Sequence, residues 1–540
     1  MDGLMMEYQL TLPKLLQRAR QVFPHKEIVS ALDGRVHRCT YGELYVRVLR
    51  AMNMLRALGV KRGDRVATFA WNHYRHMELY YAVPALGAVL HTLNLRLSAD
   101  QLKYIVNHAE DSVLFVDESL LKPIAALAPA FPTVRQYVVM GDSSKLPETT
   151  LKPLADYEAL MAKAPATEDF PELQENEACG LCYTSGTTGN PKGVLYSHRA
   201  LYLQAMTACM TDCLGMSETD VVLPVVPMFH VNAWGTPFSC AFIGAKLVFA
   251  GANLQPDNLV HLMNSEKVTL ALGVPTIWNN VLQYLRKSKG NLSSLRAMLM
   301  GGSAVPRALI AAYKKELGVH VIQGWGMTEM SPLGSTVHLT GRMRDWPEEK
   351  QIDAMALAGM IAPNVEMKVL SDGGKELPWD GKSVGELFVR GPSIARGYYK
   401  SSESEAAFTA DGWFNTGDVA SIDENGFVRI TDRTKDLIKS GGEWISSVDM
   451  ENAIMACPGV MEATVVARPD PKWDERPVAF IVRTEGQTHP TVREVLTALG
   501  PKFADWQLPS PEDIRFIDAI PKTSVGKFDK KVLRAQIAEN

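Results

Sequence analysis

The stretch "YTSGTTGNPKGV", residues 183 to 194, decides how the rest of the chain is read, because its glycines and hydroxyl residues, closed by one lysine, have the makings of a phosphate cradle. A Walker loop ends Gly-Lys-Ser/Thr, which puts the lysine at a helix start and the hydroxyl on Mg²⁺. Here Lys192 follows Pro191 and precedes Gly193, so that geometry fails. What remains is Thr184, Ser185, Thr187 and Thr188 as hydroxyl donors, Gly186 and Gly189 to let the backbone approach an anion, and Lys192 as one movable charge. Such a loop suits phosphates that are gripped and then released. The same residue types also build ordinary surface turns, so the stretch alone leaves both readings open.

At 540 residues the chain is too long for one core, and two or more domains are expected. With 56 basic against 60 acidic residues and a net charge of −4, it has no basic footprint for nucleic acid. The seven cysteines scatter without the spacing of a disulfide framework, and Cys179-x-x-Cys182 has no second half-site to complete a zinc centre. They read as buried thiols of a reducing compartment, so a cytoplasmic protein is expected. The start, "MDGLMMEYQLTLPKLL", lacks the pattern of a secretory signal. Residues 221 to 245 carry no Asp, Glu, Lys or Arg, but Pro224, Pro227 and Pro237 would break a helix in lipid. They read as buried wall, and no transmembrane segment is expected.

Short apolar runs alternate with helix-period segments through the first two-thirds of the chain. "RVATFA" (65–70), "SVLFVD" (112–117), "AKLVFA" (245–250) and "VTLALGV" (268–274) read as buried strands; "CTYGELYVRVLRAMNMLRALGV" and "NLVHLMNSEK" read as helices. This alternation predicts α/β sheets buried on both faces. After about residue 355 the texture becomes Gly-punctuated, as in "GELFVRGPSIARGYY", "DGWFNTGD" and "DENGFVRITDR", which predicts a small β-rich subdomain. From 433 strands ("EATVVARP", "RPVAFIVR") and helices alternate again. There Thr491-x-x-Glu494 forms a capping box before a helix whose buried face is Val492, Val495, Leu496 and Leu499, and a small α+β C-terminal domain is expected.

The loop does not stand alone. Together with "GWGMTE" (324–329), "GWFNTGD" (412–418), "TDRTKDLIKSGGEWIS" (431–446) and "PKTSVGK" (521–527), it resembles the AMP-forming acyl-CoA synthetases, the superfamily that includes luciferases and nonribosomal peptide adenylation domains. "VVPMFHVNAWG" and "LIKSGGEWISSVD" look nearest to bacterial long-chain fatty-acyl-CoA synthetases and methylmercaptopropionate-CoA ligases. The resemblance implies an N-terminal domain over 1–431 holding the substrate and ATP site, a hinge at Asp432 and a mobile C-terminal domain over 433–540. It also implies a two-step reaction. A carboxylic acid attacks the α-phosphate of ATP to give an acyl-adenylate and pyrophosphate, and the thiol of coenzyme A then displaces AMP. Two anions meet in the first step, so positive charge and Mg²⁺ are needed to spread the developing charge.

By the same resemblance, Lys527 is the mobile catalytic lysine of adenylation, Glu329 with Thr184 holds Mg²⁺, as a hard cation wanting oxygen ligands requires, and Thr328 contacts phosphate. Gln323, Gly324, Trp325 and Gly326 would lie along the adenine, with Gly302 on the other side of the base. Asp418 would take the ribose hydroxyls. Arg433 and Lys435 would continue the nucleotide-facing strip, as would Lys439 and Trp444, whose role depends on the position of the C-terminal domain. Gly441, Gly442 and Glu443 would meet the pantetheine arm. His230, which also stands among the catalytic residues, would line the acyl pocket with Val231, Trp234, Gly301 and Gly302.

An amino-acid-activating domain needs a carboxylate in residues 221 to 245 to pair the substrate ammonium, and none is there. The acid is therefore expected to lack a charged amine. Its length stays open: an indole at Trp234 that swings aside admits a long chain, and one that stays admits only a short acid such as methylmercaptopropionate or butyrate. Another adenylating enzyme, an acid:carrier-protein ligase or a luciferase-like one, and a catalytically silent nucleotide-binding protein are the alternatives. The resemblance also implies a homodimer.

Overall fold

The computed structural model describes every residue except 2, 143–144, 185–189, 403–406, 441–442, 524–525 and 539–540. The expected α/β alternation is present. Arg65–Phe69, Val89–Thr92, Asp111–Asp117, Gln136–Met140, Leu154–Asp156 and Ala178–Tyr183 run parallel in a seven-stranded sheet, whose last strand, Gly193–Ser197, turns back antiparallel. A strand buried on both faces needs apolar residues at consecutive positions. Asp111–Asp117 satisfies this: Val113 and Phe115 point into one core, Leu114 and Val116 into another.

A second sheet of thirteen strands has a parallel centre, in which Glu27–Leu32, Lys246–Phe249, Val221–Pro224, Leu270–Gly273, Ala297–Gly301 and His320–Gly326 lie side by side. Helices between the two sheets fill the largest core, which takes Tyr41, Leu44, Val48 and Leu55 from the helix Tyr41–Ala57. That helix starts where the sequence says it should: Thr40 and Glu43 exchange hydrogen bonds in a capping box.

The expected small β-rich part is present, and it is hydrogen-bonded to the α/β body. Beyond His320–Gly326 the same sheet continues antiparallel through Leu333–Thr336, Gly359–Ile361, Phe427–Arg433, Phe414–Ile422, Gly385–Arg390 and Glu366–Leu370. These strands have a core of their own, including Leu387, Val389, Phe414, Ala420 and Val428, but hydrogen bonding to the α/β body is unbroken. The C-terminal segment folds around a five-stranded sheet whose long hairpin is Val460–Asp470 with Asp474–Arg483. The capping box at Thr491 and Glu494 starts the helix Val492–Leu499, of which Val495 and Leu499 are fully buried while Val492 and Leu496 pack at the margin. Among the described residues no helix is long and apolar enough to cross a membrane. Residues 221 to 245 form buried strand, turn and helix, and burial pushes the thiols of Cys179 and Cys182 up.

Candidate active site

The ends of the parallel strands, the antiparallel extension and the C-terminal segment together wall a cleft of about 1860 Å³. Thr184, Lys192, His230, Val231, Trp234, Gly301, Gly302, Gln323, Gly324, Trp325, Gly326, Thr328, Glu329, Asp418, Asp432, Arg433, Lys435 and Lys527 all line it. Residues as far apart as 184 and 527 thus line one cleft.

The opening stretch joins two antiparallel strands rather than a strand to a helix, which is why it cannot end as a Walker loop does. Tyr183 pairs with Gly193 across antiparallel strands. At the neck, the Thr184 N–H donates to the Lys192 carbonyl at 2.9 Å and the Lys192 N–H to Thr184 Oγ1 at 3.2 Å. Ser185, Gly186, Thr187, Thr188 and Gly189 lie outside the described residues, as do Gly441 and Gly442. Lys192 Nζ stands 5.0 Å from the centre of the Tyr398 ring, and the Tyr398 hydroxyl donates to Glu329 Oε1 at 2.7 Å. One aromatic residue therefore touches both the lysine of the loop and the predicted metal ligand. Nothing in the sequence marks Tyr398 for this role, since it lies 69 residues beyond Glu329.

Glu329 sits in a single tight turn, Thr328–Met330, directly after the strand His320–Gly326. The turn is pinned from both sides: the Met327 N–H donates to the Pro332 carbonyl at 3.0 Å, and the Tyr196 hydroxyl to the Thr328 carbonyl at 2.8 Å. Gly326 makes the close approach possible, because a Cβ there would lie 1.9 Å from the Pro332 oxygen.

Asp418 is 2% exposed, and each of its oxygens has one partner. Arg433 Nε lies 2.5 Å from its Oδ1, and the Trp325 indole N–H donates to its Oδ2 at 2.9 Å. The pairing follows from register, since Asp418 and Arg433 face each other on neighbouring strands. Trp325 is thereby locked in orientation by the predicted ribose ligand, a link the motifs do not reveal. Asp432, one residue earlier, accepts from the Arg433 N–H at 2.8 Å and from the Ser447 N–H at 2.7 Å, so its carboxylate bridges the end of the large sheet and the first helix of the C-terminal segment. Burial pushes its pKa up.

Lys527 enters from the C-terminal segment. Thr276 Oγ1 donates to the Gly526 carbonyl at 3.2 Å, tying that loop to the helix Pro275–Ser288, and Gly526 adopts φ 84°, a left-handed conformation glycine reaches without strain. The Lys527 side chain runs along Gly302, where a Cβ would stand 3.4 Å from its Cε and 3.9 Å from Trp234 Cζ2. The ammonium is pushed down from its ordinary 10.5 to about 8, first by burial, then by the charges of Arg433 and Lys435, against the pull of Asp418 and Glu329. Although it keeps some accessible surface in the cleft, protein surrounds it closely enough for burial to dominate. His230 is held neutral, at about 3, by burial and by the Lys527 charge. Burial likewise lowers Lys435.

Beside these groups the backbone does something the sequence hides. Val231, Asn232, Ala233 and Trp234 all have positive φ, between 45° and 56°, forming a left-handed turn that ends at Gly235. Each such residue costs roughly 1–2 kcal/mol. The turn is held by the Ala233 N–H on the Pro227 carbonyl at 3.2 Å and the Thr236 hydroxyl on the Ala233 carbonyl at 2.9 Å. It lays the Trp234 ring across Gly301, 3.4 Å from where a Cβ would be.

Three expected contacts are not brought to the cleft. Lys439 and Trp444 pair with each other on the short hairpin of Ile438–Ser440 and Glu443–Ile445, next to Glu443. Trp444 is 55% exposed, and the Lys439 N–H is occupied by Glu475 Oε2 at 2.8 Å. In this arrangement the hairpin edges the C-terminal sheet and faces solvent, so Lys439 and Trp444, expected along the nucleotide in one position of the C-terminal domain, and Glu443, expected at the pantetheine arm, do not line the cleft here.

Residues 16–399 match the AMP-binding enzyme family, and residues 449–527 the AMP-binding enzyme C-terminal domain. A long-chain-fatty-acid–CoA ligase of Thermus thermophilus is 49% identical over 98% of this chain and 96% of its own. A 3-methylmercaptopropionyl-CoA ligase of Ruegeria lacuscaerulensis is 42% identical over 100% of this chain and 99% of its own. Among solved structures, that of the anthranilate CoA ligase AuaEII in complex with anthranoyl-AMP matches with a TM-score of 0.89 at 25% identity, covering 99% of this chain and 98% of that one. ATP-bound MatB from Rhodopseudomonas palustris matches with a TM-score of 0.83 at 28% identity, covering 98% and 99%.

Proposed function

The chain belongs to the AMP-binding enzyme family, and on that premise we propose how its cleft joins a carboxylic acid to coenzyme A. It is an AMP-forming acyl-CoA ligase, with ATP and CoA as its co-substrates. Acid and ATP give the acyl-adenylate and pyrophosphate; the CoA thiol then attacks the acyl carbon, and AMP leaves.

The observation that carries the reading is the convergence of Lys527 with Glu329, Asp418 and His230 at the glycine surface of Gly301 and Gly302. Lys527, whose charge is only partly offset by Asp418 and Glu329, neutralises the acid and the α-phosphate as they meet. Neutral His230 adds no competing charge and lines the acyl end with Trp234. Asp418, oriented by Arg433 and Trp325, accepts from the ribose hydroxyls, and the loop closed by Thr184 and Lys192 takes the phosphate tail.

Glu329 and Thr184 fit Mg²⁺, being hard oxygen donors on one cleft, with Tyr398 fixing one Glu329 oxygen and leaving the other for the ion. Bound there, Mg²⁺ would spread the charge of the phosphates.

Asp432 is the pivot between domains 1–431 and 433–540. Its two backbone partners flank the junction, and a swing about it would exchange Lys527 for the hairpin carrying Lys439, Glu443 and Trp444. The acid has no ammonium group, since residues 221 to 245 offer no carboxylate to pair one, and its tail is short to long aliphatic, 3-methylmercaptopropionate included. Seven free cysteines support a cytoplasmic site. The exposed Leu4, Met5, Met6 and Tyr8 supply apolar surface that a second copy in a homodimer would cover.

The test separates the half-reactions. Lys527→Ala lowers pyrophosphate release with acid and ATP by about 10²–10³, yet leaves thioester formation from a supplied acyl-adenylate largely intact. Equal losses in both would overturn the division of labour.

A further inference from the structure

Among the described residues the helix His198–Cys209 carries two buried side chains with an unpaired polar atom, His198 Nε2 and Gln204 Oε1, and of the two only Gln204 lines the cleft. Ala200, Gln204 and Ala208 follow one another at four-residue spacing, all on the buried side. Gln204 is 2% exposed and lines the cleft together with Ala208, Leu214, Trp234 and Leu299. Its Oε1 has no hydrogen-bond partner among the described residues. Buried polar atoms are almost always paired, and an amide offers one acceptor and two donors that an apolar wall cannot meet. A leucine of similar size would fill the same space without that cost. The amide oxygen is therefore open to whatever occupies the cleft.

We infer that Gln204 is a specificity residue that reads a hydrogen-bonding group on the acyl chain, so that hydroxyalkanoic acids are preferred over plain alkanoic acids of equal length. The inference rests on the proposal that this end of the cleft receives the acyl group. A chain hydroxyl donates to Oε1 and accepts from Nε2, meeting both sides of the amide. A plain methylene in its place leaves the acceptor unpaired, and sites built around such a pairing discriminate strongly against the analogue that lacks it.

The experiment is AMP formation with ATP and CoA, using chain-matched pairs of straight-chain acids and their ω-hydroxy counterparts from four to ten carbons. Wild type, Gln204→Leu and the near-isosteric Gln204→Met are compared. In at least one pair the wild type is expected to favour the hydroxy acid in kcat/KM by about tenfold, the effect of one net hydrogen bond. Both variants are expected to erase that preference while keeping or raising activity on the alkyl member. A wild type that prefers the alkyl acid in every pair, or a hydroxy-to-alkyl ratio that neither variant moves, overturns the inference. Should Gln204→Leu fail to fold, Gln204→Met supplies the same comparison. If the wild type forms no AMP with any acid, it is the ligase reading that fails; activity with an unmoved ratio sinks only the role of Gln204.

Discussion

The lowered pKa of Lys527 yields a prediction with a sign and a size. The ammonium falls from 10.5 to about 8 when docked in the cleft, a difference worth roughly 3 kcal/mol at 1.36 kcal/mol per pH unit. Because the docked state holds its proton less tightly than the undocked one, docking is disfavoured as pH falls from 10.5 towards 8, and the full penalty applies below 8. The form that stabilises the meeting anions is nevertheless the charged one, so adenylation is lost as pH rises and the proton leaves. Bound ATP brings negative charge beside the ammonium and should lift its pKa back towards 10.5. In pyrophosphate-release assays with saturating acid, kcat/KM for ATP reports the enzyme before ATP binds and kcat the complex with ATP. The alkaline limb of kcat/KM is expected near pH 8 and that of kcat distinctly higher. Lys527→Ala should lower kcat by about 10²–10³, the cost of losing one preorganised stabilising group, and its residual activity should have no such limb. An alkaline limb of the same midpoint in the variant would refute the assignment to this lysine.

Two further outcomes test the surrounding geometry. Gly326→Ala drives a methyl into the Pro332 carbonyl, which also receives the Met327 N–H; a stability loss of about 1–3 kcal/mol, read by thermal melting, is expected together with a weakened Mg²⁺ response as the Glu329 turn shifts. Tyr398→Phe removes the hydroxyl that donates to Glu329 but keeps the ring beside Lys192; the Mg²⁺ concentration for half-maximal adenylation should rise about tenfold, one charge-assisted hydrogen bond's effect, and an unchanged value would remove Tyr398 from the positioning of that carboxylate.

Much of this arrangement is legible in the sequence where chemistry is concentrated into short motifs. Thr184, Glu329, Asp418 and Lys527 each sit in a run that resembles a motif of the AMP-forming acyl-CoA synthetases, and all four line one cleft. The strands Arg65–Phe69 and Asp111–Asp117 are equally plain, since burial on both faces writes itself as an unbroken apolar run. What the sequence hides depends on distant partners. The Gly-rich stretch beyond residue 355 shows its β character but not its place in the sheet, because short antiparallel strands such as Gly359–Ile361 do not name the strand they pair with. Tyr398 and Gln204 belong to no motif, and their importance appears only once contacts 69 residues away or an unpaired amide oxygen are seen. The left-handed turn at 231–234 is the least legible, since of its four residues only Asn232 is a type that tolerates such angles.

That turn also sets how the acyl passage can be reshaped. Trp234 stands on four successive residues of positive φ, so the place of its Cβ is set by a coil that neighbouring carbonyls hold wound, and motion of the indole is left to its χ angles. Anyone wishing to widen the enzyme's diet has a more direct route in trimming the indole itself than in loosening the segment that carries it.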